Sequence, residues 1–262
     1  MIHELTDLIR KADEAVLKVY DAADFGVEYK EDDSPLTEAD RVSNSIIIEG
    51  LRGIAPDIPV ISEENAEVPY GERKKWKRFW LVDPLDGTKE FIKRNGEFTI
   101  NIALIEEGDP VLGMISVPVQ RKICYGSSGK GAFCVCDPGE KARSISVSTA
   151  DRNPVAVVSR SHLSEKTAKL IRILDAETIG AGSALKFTLV AGGEADIYPR
   201  LGPTWEWDTG AGHAIAEAAG AVVCGLGGQS LVYNKEKLKH DGFLVCVPAL
   251  KDRVLAEIRK VI

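Results

Sequence analysis

The chain has 262 residues, room for one large domain or two packed halves with a substantial core. Hydrophobic residues make up 44% and charged residues 28%, an ordinary balance for a soluble globular protein, and no low-complexity tract or internal repeat stands out. The 40 acidic and 33 basic residues leave a net charge of −7, which argues against a nucleic-acid binder; a small anionic partner would need a local reversal of the field, and a bound metal is the obvious source.

Apolar residues at Leu5, Leu8, Ile9, Ala12, Ala15, Val16 and Val19 recur at helical spacing and predict an amphipathic first helix. The polar opening from Met1 to Arg10 does not read as a secretory signal, and no apolar run approaches the roughly 20 residues that span a bilayer. Glu28 to Pro35 is charged and reads as a loop or mobile hairpin. A second helix is predicted from about Glu38 to Leu51, stopped by Gly53 and Pro56, with short strands at Ile58 to Ile61 and Phe79 to Val82. From Phe98 to Phe133, apolar runs broken by glycines and by Glu107-Gly108-Asp109-Pro110 predict antiparallel strands and turns. Past about residue 150 the pattern alternates between strand and helix. Strands are predicted at Val155 to Val158 and Ala195 to Tyr198; helices at Ser164 to Leu174, Ala184 to Ala191, Asp208 to Ala219 and Ala249 to Val261. The division expected is an α+β half over 1–150 and an α/β half over 151–262. The five cysteines, Cys124, Cys134, Cys136, Cys224 and Cys246, lack a Cys-x-x-Cys pair and are expected to be free thiols in a reducing cytoplasm.

Chemistry concentrates at Asp83-Pro84-Leu85-Asp86-Gly87-Thr88, just past a buried strand. Pro84 fixes one backbone torsion and Gly87 permits positive φ, so a rigid turn can aim both carboxylates at one point, with Thr88 at a helix start that favours an anion. Hard cations take such oxygen ligands. Taken singly, the motif is also an ordinary solvated turn. Three more acidic segments, Thr37-Glu38-Ala39-Asp40, Ser62-Glu63-Glu64 and Trp205-Glu206-Trp207-Asp208, each also have a bland reading as a helix cap, a strand end or a helix start.

Together these segments resemble the inositol monophosphatase superfamily of lithium-sensitive, metal-dependent phosphatases. Asp83 to Thr88 matches its Asp-Pro-x-Asp-Gly-Thr motif, and Trp207-Asp208-Thr209-Gly210-Ala211-Gly212 resembles its Trp-Asp-x-Ala-Ala-Gly motif, with Gly210 in place of alanine. Within the superfamily the chain is most similar to the bacterial CysQ-type 3′(2′),5′-bisphosphate nucleotidases. Gly87 to Thr99 (which includes Gly96-Glu97-Phe98-Thr99), Ser159-Arg160-Ser161-His162, Gly182 to Phe187 and Tyr198-Pro199-Arg200 carry that likeness.

The resemblance implies a layered α/β/α/β/α sandwich with the active site between the halves. It implies that Glu63, Asp83, Asp86 and Asp208, with the Leu85 carbonyl, bind two or three Mg²⁺, and that Thr88 and Asp40, together with Glu63, act on the attacking water. Gly87 and Thr88 would hold the phosphate, alongside substrate contacts from Glu63, Leu85, Asp86 and Asp208. His162, Ser183, Lys186 and Arg200 would contact the nucleotide or its second phosphate; each also has a bland reading as a cap, surface charge or ion-pair partner. The implied substrate is adenosine 3′,5′-bisphosphate, with the phosphorylated adenylyl sulfate second and a link to sulfur assimilation. Inositol phosphates or fructose 1,6-bisphosphate remain alternatives within the superfamily, and a non-catalytic nucleotide or metal sensor is the alternative outside it. A cytoplasmic monomer or homodimer is expected, with peripheral association at the inner membrane as the alternative location.

Overall fold

The structure, a computed structural model, describes residues 1–22, 26, 28–29, 35–65, 68–137, 139–150, 152–160 and 163–262. The first half runs α1 (Ile2–Tyr20), β1 (Glu28–Tyr29), β2 (Pro35–Leu36), α2 (Glu38–Ile54), β3 (Val60–Ser62), α3 (Tyr70–Arg73), β4 (Arg78–Asp86) and α4 (Thr88–Ile92). It continues through β5 (Thr99–Glu106), β6 (Asp109–Val117), β7 (Lys122–Ser127), β8 (Gly131–Val135) and β9 (Arg143–Ile145). The second half comprises β10 (Val155–Ser159), α5 (Glu165–Leu174), β11 (Glu177–Ala181), α6 (Leu185–Ala191), β12 (Ile197–Arg200) and β13 (Thr204–Trp205). It ends with α7 (Gly210–Ala218), β14 (Val222–Gly225), β15 (Lys239–His240), β16 (Phe243–Cys246) and α8 (Lys251–Ile258).

Among the described residues, β3 to β9 pair in sequence order into one sheet, parallel at β3–β4 and antiparallel elsewhere. A second sheet has the order β11-β10-β12-β16-β14, with β10 parallel to β11 and β12, and β16 antiparallel to β12 and β14. Alternation along the strands sets the layers. Trp80, Val82, Ile100, Ile102 and Leu104 face one way and pack under α1 and α2. Their neighbours Phe79, Leu81, Ala103 and Ile105 face the other way, toward α6 and α7. Val155, Val157, Tyr198, Phe243 and Val245 of the second sheet meet those same two helices, while Ala156, Val158, Leu244 and Cys246 pack under α5 and α8. A period of two on each strand, with apolar residues on both faces, thus produces the order α/β/α/β/α, as expected.

Two details depart from the sequence reading. The second helix runs on to Ile54. Gly53, one of the two expected stops, lies inside it, and the helix is capped at Ala55 beside the other, Pro56, whose ring disfavours helical backbone in the residue before it. The expectation of five free thiols is also corrected. Cys124 and Cys134 stand directly opposite on β7 and β8 and form a disulfide, leaving Cys136, Cys224 and Cys246 free among the described residues. Antiparallel register brings the two Cβ atoms together, a proximity that a sequence separation of 10 conceals.

Candidate active site

In a regular strand Asp83 and Asp86 would point to opposite faces. The β4–β5 pairing slips instead: Asp83 is opposite Asn101 and Asp86 opposite Thr99, so three steps on β4 match two on β5. Asn101 and Thr99 share a face, and the bulge therefore turns both acids to the same side. Ser43 Oγ of α2 donates to the Pro84 carbonyl at 2.7 Å, and the Leu85 N–H donates to Asp83 Oδ1 at 3.1 Å, fixing the turn. Gly87 follows with φ +93°, and α4 starts at Thr88.

Glu63 directly follows β3, whose parallel register sets Ser62 beside Val82, next to Asp83. Asp208 precedes α7, and its Oδ2 accepts from Thr204 Oγ1 at 2.5 Å and from the Trp205 N–H at 3.0 Å. The acids feel one another. Burial first, then repulsion from Glu63, Asp86 and Asp208, pushes the Asp83 carboxyl well above the usual range. Burial and then Asp208 raise Asp86 to about 7, against the pull of Lys186. Asp208 is raised by burial and moderated by Thr204 and Trp205. Among the described residues these groups do not close into a preformed ligand cage; Asp83 and Asp208 lend oxygens to Leu85, Thr204 and Trp205 instead, as mutually repelling carboxylates should. An all-oxygen donor set carrying uncompensated like charge suits a hard divalent cation.

Asp40 is buried at the start of α2, where Thr37 N–H and Oγ1 donate to its Oδ2 at 2.7 and 2.6 Å. Its Oδ1 accepts from Thr88 Oγ1 at 3.3 Å, so the bland reading of a helix cap and the expected Thr88 partnership hold at once.

Asp86 and Asp208 line a cleft of about 170 Å³ together with Lys186 and Arg200. It adjoins a hollow of about 210 Å³ lined in part by Leu163, Pro199 and Leu201. Lys186 is 5% exposed, and burial lowers its ammonium to about 8 although Asp86 opposes the shift. Its Nζ donates to the Ser183 carbonyl at 2.6 Å. Arg200 Nη2 donates to the Pro203 carbonyl at 3.0 Å, while its buried Nε has no partner among the described residues. Ser183 lines the cleft but does not cap α6; Ala184 does, and Ser183 sits at φ +50° with its hydroxyl against the Asp86 and Glu97 carbonyls at 2.9 and 2.8 Å. His162 lies outside the described residues. Trp205 and Trp207 stack on each other at 4.7 Å, in keeping with a packing role. Gly210 fits closely: a Cβ there would stand 3.1 Å from Leu81 and 3.2 Å from Ala103. Sequence reasoning gave no role to Glu97, Arg160, Ser43 or Thr204, although the first two fall inside motifs that carried the resemblance.

A family model described as the inositol monophosphatase family matches residues 1–262. The 3′(2′),5′-bisphosphate nucleotidase CysQ of Salmonella typhimurium is 48% identical over 251 residues, covering 94% of this chain and 100% of that protein. The Escherichia coli K12 protein of the same name is 45% identical over 250 residues, with the same coverage. Among solved structures, CysQ from Bacteroides thetaiotaomicron superposes with a TM-score of 0.81 at 42% identity, covering 91% of this chain and 93% of the other. A Thermotoga maritima IMPase superposes with a TM-score of 0.82 at 26% identity, covering 99% and 97%.

Proposed function

This chain belongs to the inositol monophosphatase family, and on that footing we propose that it is a Mg²⁺-dependent phosphatase acting on the 3′-phosphate of adenosine 3′,5′-bisphosphate. The products are AMP and phosphate; the phosphorylated adenylyl sulfate is a second substrate, and the setting is sulfur assimilation. The observation that carries this reading is one cleft lined by Asp86 and Asp208, two of four mutually repelling carboxylates, together with Lys186 and Arg200. Such a cleft suits a substrate whose reacting phosphate meets metal while its second phosphate meets fixed cations. Identity of 45–48% along the chain to proteins named 3′(2′),5′-bisphosphate nucleotidase supports the choice of nucleotide.

Glu63, Asp83, Asp86, Asp208 and the Leu85 carbonyl would hold two or three Mg²⁺. When bound, Mg²⁺ neutralises the acids, polarises the phosphoryl group and acidifies a coordinated water. The remaining work belongs to the chain. Thr88 donates its one hydroxyl hydrogen to Asp40, which turns the oxygen lone pairs toward the cleft to accept from the attacking water. The Thr37 donors hold Asp40 in the orientation that task needs. The Gly87 and Thr88 N–H groups receive the phosphate oxygens. Lys186, Arg200, Ser183 and, by its motif, His162 take the rest of the nucleotide. No helix among the described residues is long and apolar enough to cross a membrane; we place the enzyme in the cytoplasm as a monomer or homodimer.

Phosphate release with Mg²⁺ from adenosine 3′,5′-bisphosphate, 3′-AMP, inositol 1-phosphate and fructose 1,6-bisphosphate tests the reading. The bisphosphate nucleotide should give the highest kcat/KM. Lys186→Ala and Arg200→Ala should each weaken its use more than that of 3′-AMP, which lacks the second phosphate. Equal losses on both, or a preference for a sugar phosphate, would refute the assignment.

A further inference from the structure

Two residues inside the motifs that carried the resemblance, Glu97 and Arg160, received no chemical role and converge in the fold. Glu97 lies between α4 and β5, and Arg160 follows β10, 63 residues later. Arg160 Nε and Nη2 donate to the two Glu97 carboxylate oxygens at 2.8 and 2.6 Å, a bidentate pair joining the two halves of the chain. The same Nη2 donates to the Gly180 carbonyl at 2.5 Å. Glu97 does more than pair with a surface arginine. Its Oε2 accepts from the Gly182 N–H at 2.9 Å, and its carbonyl accepts from Ser183 Oγ at 2.8 Å.

The fit leaves little slack. A Cβ on Gly182 would stand 2.7 Å from the Glu97 carbonyl oxygen, and one on Gly87 would stand 2.0 Å from Ser183 Oγ. Ser183 holds φ +50°, a conformation non-glycine residues keep only when their surroundings impose it. Its carbonyl in turn receives the Lys186 ammonium at 2.6 Å. A continuous chain of contacts thus leads from Arg160 through Glu97 and the Gly182–Ser183 turn to Lys186. A solvent-exposed ion pair contributes little to stability, and Arg160 is 53% exposed, but Glu97 is only 15% exposed and its acceptors are spent on backbone that lines the cleft.

We propose that Glu97 is a positioning residue for substrate binding: pinned by Arg160, it holds the Gly182–Ser183 turn against the Asp86–Gly87 turn and so sets where the Lys186 ammonium meets the second phosphate. This rests on the nucleotidase reading and adds to it a determinant of specificity that does not touch substrate.

The test is steady-state kinetics of the full chain with Mg²⁺ on adenosine 3′,5′-bisphosphate and on 3′-AMP, for Glu97→Ala, Glu97→Gln and Arg160→Met. Glu97→Ala should raise KM for the bisphosphate about tenfold while kcat stays within about threefold and 3′-AMP kinetics within about twofold. Glu97→Gln keeps an acceptor for the Gly182 N–H and should recover much of the loss; Arg160→Met should fall between wild type and Glu97→Ala. Equal losses on both substrates, or an unchanged KM for the bisphosphate, overturn the inference and leave the nucleotidase reading standing. A wild-type enzyme that ignores the bisphosphate sinks both. If Glu97→Ala fails to fold, Arg160→Met decides alone, because it alters an exposed side chain.

Discussion

Gly87→Ala is expected to do harm in two separable ways, and a double-mutant cycle with Ser183→Gly should separate them. The first is local: at φ +93° an L-residue costs about 1–2 kcal/mol whatever surrounds it. The second is a collision, since the new Cβ would lie 2.0 Å from Ser183 Oγ, well inside contact distance, in a turn braced on both sides. Forced overpacking of that kind costs roughly 1–3 kcal/mol. Ser183→Gly removes the obstructing oxygen. It loses a hydrogen bond shared between the Asp86 and Glu97 carbonyls, about 1 kcal/mol, and regains part of that by relieving a residue at φ +50°. The double variant should therefore be more stable than the sum of the singles by about 1–3 kcal/mol. Urea unfolding of the four proteins in chelator, with unchanged m-values, measures the coupling. Additivity within about 0.5 kcal/mol would show that Ser183 does not occupy the space above Gly87 and would refute the reasoning.

Magnesium should stabilise the folded chain by relieving repulsion among Asp83, Asp86, Glu63 and Asp208. At 100 times Kd the gain is about 2.7 kcal/mol, roughly 5–10 °C in Tm for a chain of this size, read by scanning calorimetry with and without Mg²⁺. Asp83→Asn should raise Tm in chelator and abolish the Mg²⁺ increment; an intact increment would remove Asp83 from the ligand set. A third expectation concerns Asp13 of α1, which is 8% exposed, accepts from Ser116 Oγ at 2.7 Å and is raised to about 7, chiefly by burial. The folded chain keeps this proton between pH ~4 and ~7 while the unfolded chain releases it, so the native state loses stability as pH climbs through that window, by up to about 4 kcal/mol. Asp13→Asn should flatten that loss and be the more stable protein above pH 7; parallel stability–pH curves for the two would contradict it.

The fold was legible where periodicity was long or a run was bounded by turn residues. The one-sided α1 stripe from Leu5 to Val16 and the apolar run from Thr99 to Leu104, buried on both faces, both lie in elements the pattern placed. Short, wholly apolar segments were legible only in part: Phe79 to Val82 and Val155 to Val158 fall in β4 and β10 as expected. Phe243–Cys246 is the strand between β12 and β14, yet four buried residues with no alternation cannot announce strand over helix. The site was half legible. Motifs named the acids and Thr88, but the bulge that puts Asp83 and Asp86 on one face depends on the β5 partner, which no local pattern in β4 encodes. Glu97 and Arg160 were visible as motif members without chemistry, because their meaning is a contact across 63 residues.

Topology explains why acids so far apart in sequence share one corner. β3 runs parallel to β4 with Ser62 beside Val82, so the residue after β3 emerges next to the following residue of β4, and Glu63 is delivered to Asp83. Asp208 needs the opposite approach. It lies just before α7, a helix between the two sheets that touches both, hence the small Gly210, Ala211, Gly212 and Ala214. Where the usual family motif has alanine, Gly210 lies close against the first sheet, a Cβ there standing 3.1 Å from Leu81 and 3.2 Å from Ala103, two residues after Asp208. A bulkier residue at 210 should lift α7 from the sheet and weaken the cluster's hold on its cation before it weakens the fold, because the first depends on tenths of an ångström and the second on area buried over the whole helix.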